Sequence, residues 1–409
     1  MTGVRNAHQI ESWNGDDLPA HPGLADGPVY LDYNATTPVD PRVAAAMTAY
    51  VTDFFGNPSS DHAYGAEPAA AIAKARGRIA DLVGAGPHEI VFAGSGSEAD
   101  LLALRGVVLA SGRHRPHVIT QATEHPAVLE TCRALERLHG ARVTILPVDR
   151  EGLVSPDALA AAFTEDSVLV SVMAANNETG ALQPIRELAA LTHKHGALFH
   201  CDAAQAAGKI PLDVRDLGVD LLTVVGHKMY APKGVAALFV RDGVALEPVV
   251  YGGGQERGLR AGTENVALAV ALGAAAHIAA RDLATDEPLR VAGLRDTLHE
   301  RLAAALPGRV HLNGPELSRL PNTLNVSIDG VRGHEVLATS PQIAASTGSA
   351  CHTGTHTPSP VLTAMGLDDD RALGAVRLSL GRWTTPADID TAAATLAASC
   401  ARAPGRSSR

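Results

Sequence analysis

The sequence predicts an α/β protein in which a large domain holds a mostly parallel sheet covered by helices and a smaller α+β domain follows. Three observations predict it. Short apolar runs alternate with helical patterns from residue 89 onward, as strands joined by crossover helices do. Several of these runs end abruptly in polar, reactive residues, which a parallel sheet presents along one edge. Past the charged segment 282–287 the pattern changes to alternating strands around a loop of small residues. Domains are therefore expected at 29–285 and 286–409, with the first residues of the large domain free to join the small one. Residues 1–28 are expected to be a mobile extension.

Each element has its own signal. Residues 1–28 carry Glu11, Asp16 and Asp17 and no apolar core, unlike a secretory signal or transit peptide. Residues 31–38 form a polar turn after a short strand, and Pro41 opens a helix through Met47. The Ala-rich run 68–83 is a helix stopped by Gly84. A strand at 89–92 leads through Gly94-Ser95-Gly96-Ser97 into a helix from Glu98, and one at 117–120 leads through Glu124-His125-Pro126 into the next helix. The strand at 167–172 ends at Asn176-Asn177, and that at 197–201 ends at Asp202 and Gln205. Residues 219–225 form a buried parallel strand that delivers His227 and Lys228. The stretch 266–280 is apolar but shorter than the roughly 20 residues a bilayer needs, so it is a core helix. In the small domain, 323–328 and 376–380 alternate as half-buried strands.

Composition narrows the function. Lys and Arg total 34 against 44 Asp and Glu, a net charge of −10 without a basic block, which argues against direct nucleic-acid binding. Cys132, Cys201, Cys351 and Cys400 are scattered with no metal-type spacing. They fit reduced thiols in a cytoplasmic protein rather than a disulfide or zinc framework.

Lys228 at a strand end is either a solvated anchor or a desolvated amine, reactive toward carbonyls. The 94–97 turn lets backbone N–H groups approach an anion at a helix start; alternatively Ser97 merely caps that helix. Thr263, before a helix and after a glycine-rich run, carries the same pair of readings. Asp202 either binds a heterocyclic N–H⁺ or caps a helix. His125 either stacks on a flat cofactor or shapes the turn before Pro126, and Asn177 either bonds a ring substituent or holds its own turn. Together an amine, a carboxylate, a flat side chain and an anion-binding helix start describe a site for pyridoxal 5'-phosphate.

The runs Asp32-Tyr33-Asn34-Ala35-Thr36-Thr37-Pro38, Thr123-Glu124-His125, Asn176-Asn177-Glu178-Thr179-Gly180, Asp202-Ala203-Ala204-Gln205, Gly226-His227-Lys228, Gly252-Gly253-Gly254-Gln255-Glu256-Arg257 and Gly348-Ser349-Ala350-Cys351 together resemble the cysteine desulfurases (NifS/IscS-like) of the class V aminotransferase group. The resemblance spans residues 29–385. It implies fold type I, a homodimer, bound pyridoxal phosphate and conversion of L-cysteine to L-alanine. It further implies a persulfide on Cys351 that passes to a sulfur-acceptor protein, such as an iron–sulfur scaffold.

By that resemblance Lys228 carries the cofactor and moves protons, Asp202 pairs with the ring nitrogen and His125 stacks on the ring. Gln205 and Asn177 serve the ring oxygen and substrate, while Gly96, Ser97, His227 and the partner subunit's Thr263 hold the phosphate. Arg377, assisted by Asn34, clamps the substrate carboxylate. Cys132, Cys201 and Cys400 stay structural. Val225 stands where the family often has serine, and Leu101 replaces a frequent asparagine. Val225, the pair Cys351-His352 and Pro358-Ser359-Pro360-Val361 resemble selenocysteine lyases, which makes L-selenocysteine the alternative substrate. A plain class V aminotransferase and a non-catalytic sulfur-relay scaffold are the remaining alternatives. No membrane partner is implied. His352 and His356 are either acid–base helpers or solvent-exposed residues.

Overall fold

The computed structural model describes residues 18–348 and 357–402. Strand β1 (Val29–Tyr30) precedes β2 (Ile90–Ala93), β3 (His117–Gln121), β4 (Arg142–Leu146), β5 (Ser167–Ser171), β6 (Leu198–Asp202), β7 (Leu221–Val225) and β8 (Ala236–Val240). The last seven form one sheet in the order β2-β8-β7-β6-β5-β3-β4. All pairings are parallel except those of β8, which runs antiparallel between β2 and β7. Since only β8 is reversed, β2 points the same way as the parallel strands, and their carboxyl ends open on one edge. Every residue of β2, β3, β7 and β8 is buried, as both faces of the sheet are covered.

Two of these strands escape the sequence reading for physical reasons. β8 begins with Ala236-Ala237, and alanine has little preference for strands. β4 is the sheet edge, where Arg142 and the exposed Ile145 break the apolar pattern.

The helices are longer than expected. Helix α1 (Pro41–Thr52) passes Met47, and α2 (Ala63–Val83) starts before Pro68. Pro68 cannot donate to the carbonyl one turn back. That carbonyl, of Tyr64, lies against Gly56, where a Cβ would come within 1.9 Å of it. The apolar helix Val266–Leu283 buries its length against α1 and α2, and its Gly273 lies so close to Ala75 that a Cβ would come within 2.5 Å of that Cα. Among the described helices it alone is long and apolar enough to cross a bilayer, and here it is a core helix.

A second core lies around β9 (Val310–Leu312), β10 (Thr323–Ile328), β11 (Ile343–Ala344) and β12 (Ala375–Ser379). The order β12-β10-β9 is antiparallel, and β1 pairs with β11. Leu31, next to β1, joins this second core. β10 and β12 are buried throughout rather than half-buried. Leu324, Val326 and Ile328 face the small core, while the polar alternates are covered too. Asn325 Nδ2 donates to the Glu178 carbonyl and Ser327 Oγ to that of Arg371.

Residues 18–28, expected as part of a mobile extension, are tied to the body. Trp383 Nε1 donates to the Pro19 carbonyl at 2.8 Å, and the His21 ring meets the Trp383 ring edge-on.

Candidate active site

A cavity of about 620 Å³ opens at the carboxyl edge of the sheet. It gathers the strand-end residues Ser97, His125, Asn177, Asp202, Gln205, His227 and Lys228. Asn34, Gly96 and Arg377 border it as well. Thr263 does not; it is exposed on a segment that leads into the Val266–Leu283 helix. Cys351 lies outside the described residues, as do His352 and His356.

Lys228 ends a single 3₁₀ turn, Gly226–Lys228, that follows β7. Tyr230 just beyond it adopts a left-handed φ of 64°, held there because its N–H donates to Thr37 Oγ1 and its carbonyl accepts from Asp40. The Lys228 amine donates to the carbonyls of Asn34 and Ala35 at 2.7 and 2.8 Å. Burial and the Arg377 cation lower it to about 8, against the pull of Asp202 and Asp32. Such an amine is within reach of its free, nucleophilic form near neutral pH.

Asp202 ends β6 on the cavity wall, its Oδ1 accepting the Ala204 N–H at 2.8 Å. Burial raises its carboxyl, opposed by that N–H, His125 and Lys228. Two further buried acids crowd it: Asp100, also on the cavity wall, and Glu124. Burial and Asp202 raise Asp100, and raise Glu124 to about 8. Asp100 Oδ1 and Glu124 Oε2 have no hydrogen-bond partner. Three crowded carboxyls favour a cation where Asp202 meets the cavity.

Helix α3 (Gly96–Ala110) begins two residues earlier than expected, because Ser95 rather than Ser97 caps it; Ser95 Oγ accepts the Glu98 N–H at 3.1 Å. Ser97 is thereby left in the first turn, beside the cavity, where N–H groups face an anion. His125 caps α4 (Pro126–His139), with Nδ1 accepting from Ala127. In the neutral ring its proton therefore sits on Nε2; desolvation and the Lys228 cation lower the ring's pKa, against the pull of Asp202. Burial and Lys228 lower His227 to about 4.

Asn176 and Asn177 divide two tasks. Asn176 Oδ1 accepts the N–H groups of Glu178 and Thr179 and so holds the turn. The Asn177 carbonyl accepts from Asn34 Nδ2 and from Arg377 Nη1, both at 3.1 Å. Arg377 Nη2 pairs with Asp32, and its buried Nε has no partner. Gln205 Nε2 donates to the Asn34 carbonyl at 2.9 Å, while Lys209 Nζ donates to Gln205 Oε1 at 3.1 Å.

The model of the aminotransferase class-V family matches residues 29–391 of the chain. The chain belongs to this family. A relative named mitochondrial cysteine desulfurase from Drosophila melanogaster is 46% identical over 89% of the chain and 79% of its own length. A solved structure described as a NifS-like protein superposes with a TM-score of 0.85 at 36% identity, covering 91% of this chain and 99% of its own. Another, described as SspA in complex with cysteine, gives 0.77 at 36% identity, covering 87% and 99%.

Class V enzymes generally depend on pyridoxal phosphate. The cavity of this class V chain fits that group by its donor set: a depressed amine, a crowded carboxylate wanting a cationic ring N–H, a flat imidazole and a helix start beside Ser97. Asp100 lines the cavity, and Lys209 and Asp32 bond to the lining residues Gln205 and Arg377; the sequence assigned none of the three a role. Asp32 and Glu124 stand in recognised motifs, which was their only signal; Asp100 and Lys209 had none.

Proposed function

We propose that the chain is a pyridoxal-phosphate-dependent cysteine desulfurase, converting L-cysteine to L-alanine and keeping the sulfur as a persulfide on Cys351. One observation carries the reading. Lys228, lowered to about 8, shares a cavity with Asp202 and with an Arg377 whose Nε is unpaired. The solved relative bound to cysteine and the desulfurase relatives support the same substrate.

The bound cofactor supplies an electron sink for the charge that develops at the substrate Cα. Lys228 Nζ, Asp202, His125, Asn177, Gln205 and the α3 start with Ser97 and His227 would hold it. Arg377 receives the substrate carboxylate, which sets the Cα–H bond toward Lys228. Lys228 Nζ takes the Cα proton and returns a proton to carbon, a task suited to an amine titrating near neutrality. The Cys351 thiolate attacks the substrate sulfur, so that an S–S bond forms while the Cβ–S bond breaks. The released electron pair and a proton end on Cβ, giving alanine and an enzyme persulfide.

Exposed Thr263 and the exposed apolar side chains of Phe55, Tyr64 and Tyr251 support a homodimer in which the partner subunit's Thr263 completes the phosphate site. The free, buried Cys132, Cys201 and Cys400 suit a reducing cytoplasm. A sulfur-acceptor protein takes the product sulfur.

The test is alanine and sulfide release from L-cysteine by wild type and Cys351→Ala. Alanine from wild type, with sulfide transfer lost in the variant, is the expected result. Undiminished sulfide release by the variant would sink the persulfide assignment. If L-selenocysteine alone is turned over, the chain is a selenocysteine lyase.

A further inference from the structure

The turn that seats Asn177 also carries a buried carboxylate with no task in the chemistry above. Glu178 is 5% exposed, and its Oε2 accepts the Ser359 hydroxyl at 2.6 Å. Ser359 Oγ in turn accepts the N–H groups of Val361 and Leu362, capping the helix Pro360–Ala364. With its lone pairs so engaged, the hydroxyl proton goes to Glu178.

The same carboxyl oxygen packs against Gly348. A Cβ there would stand 2.6 Å from Oε2 and 3.1 Å from the carboxyl carbon. The φ of +90° at Gly348 excludes other residues as well. Gly348 and Ser359 flank the stretch of sequence that carries Cys351. Just before Gly348, the Ser346 carbonyl accepts the Arg377 N–H at 2.7 Å. Arg377 then returns to the Glu178 turn through the Asn177 carbonyl. The two flanks of the Cys351 stretch and the carboxylate clamp therefore share one support.

We propose that Glu178 is a positioning residue for sulfur transfer, holding both flanks of the Cys351 stretch to the turn that seats Arg377. This rests on the assignment of Cys351 as sulfur acceptor. The holoenzyme offers two readouts in a single turnover. The change in bound-cofactor absorbance on mixing with L-cysteine reports substrate binding and Cα chemistry, and mass spectrometry of Cys351 reports the persulfide.

Glu178→Ala and Ser359→Ala should each slow persulfide formation about ten-fold or more, the cost of leaving a buried hydrogen-bonding partner unsatisfied, and leave the absorbance change within about two-fold. Glu178→Gln keeps an oxygen for the Ser359 hydroxyl and should stay within about three-fold of wild type. The Glu178→Ala/Ser359→Ala double variant should be no slower than the slower single one, since both remove one interaction. Wild-type persulfide rates in the single variants, additive losses in the double variant, or parallel loss of both readouts would overturn the proposal. Wild type that turns over cysteine without ever labelling Cys351 would refute the Cys351 assignment and take this proposal with it. A defect confined to the variants leaves that assignment standing.

Discussion

Arg377 Nη2 donates to Asp32 Oδ1 at 2.7 Å, so the guanidinium faces the cavity already paired on one side. Nη1 is committed to the Asn177 carbonyl, and the buried Nε–H is free. Two of the five N–H groups of the guanidinium are thus engaged, which leaves donors for an incoming carboxylate. Arg377→Lys keeps the charge and loses the fork, so KM for L-cysteine should rise about thirty-fold while kcat stays within about three-fold. Asp32→Ala removes only the tether and should raise KM about five-fold. Steady-state alanine formation measures both, and an unchanged KM in Arg377→Lys would remove Arg377 from substrate binding.

Lys228 is lowered from 10.5 to about 8. Between those values the unfolded chain holds a proton that the folded chain has released, so this lysine makes stability rise with pH. Cofactor-free wild type should therefore gain up to about 3 kcal/mol relative to Lys228→Met between pH 8 and 10.5. Denaturant titrations across that window give the difference, and a flat one means an unperturbed amine. Loading follows the same shift. The rate of reconstitution with pyridoxal phosphate should level off just above pH 8, because only the free amine attacks the aldehyde.

Glu124 titrates in the opposite sense. Burial and Asp202 raise it from 4.5 to about 8, so the folded state keeps a proton that the unfolded chain releases, and stability falls as pH rises through that window. Its Oε1 accepts from Gln121 and Met173, an arrangement the amide oxygen of glutamine can copy. Glu124→Gln should match wild type near pH 4.5 and exceed it by up to about 4 kcal/mol at pH 8. Melts at the two pH values decide it; an unaltered pH slope would show that the carboxyl ionises freely in the fold.

The site was legible where chemistry follows directly on an apolar strand. Asp202 and Lys228 stand out because β6 and β7 stop at polar residues on a shared edge. Asp100 was hidden by its own helix, where one acid beside Leu101 and Leu102 reads as a solvent-facing turn. Only the packing of α3 over the sheet buries it near Asp202. Polar alternation in β10 does mark two faces, but neither is wet, because the large domain covers Thr323 and Asn325. Glu178 and Ser359 meet across 181 residues, a pairing that no local pattern encodes.

Ser95 and Ser97 offer the sharpest check on how the phosphate is held. Both border the cavity, but the Ser95 oxygen is engaged by the Glu98 N–H and its backbone is extended, with φ −165° and ψ 166°. Ser97 lies inside the first helical turn, where a hydroxyl adds to N–H groups aimed at an anion. Ser95→Ala should cost about 1 kcal/mol of stability in the cofactor-free protein, the usual worth of an N-cap. Ser97→Ala should leave that stability within about 0.5 kcal/mol and weaken pyridoxal phosphate binding about ten-fold, through one lost charge-assisted bond. Melts of the cofactor-free protein and fluorescence titration with the cofactor separate the two effects. Were Ser95→Ala to lose the cofactor with its melting point unchanged, the cap and the phosphate contact would have to be exchanged between the two serines.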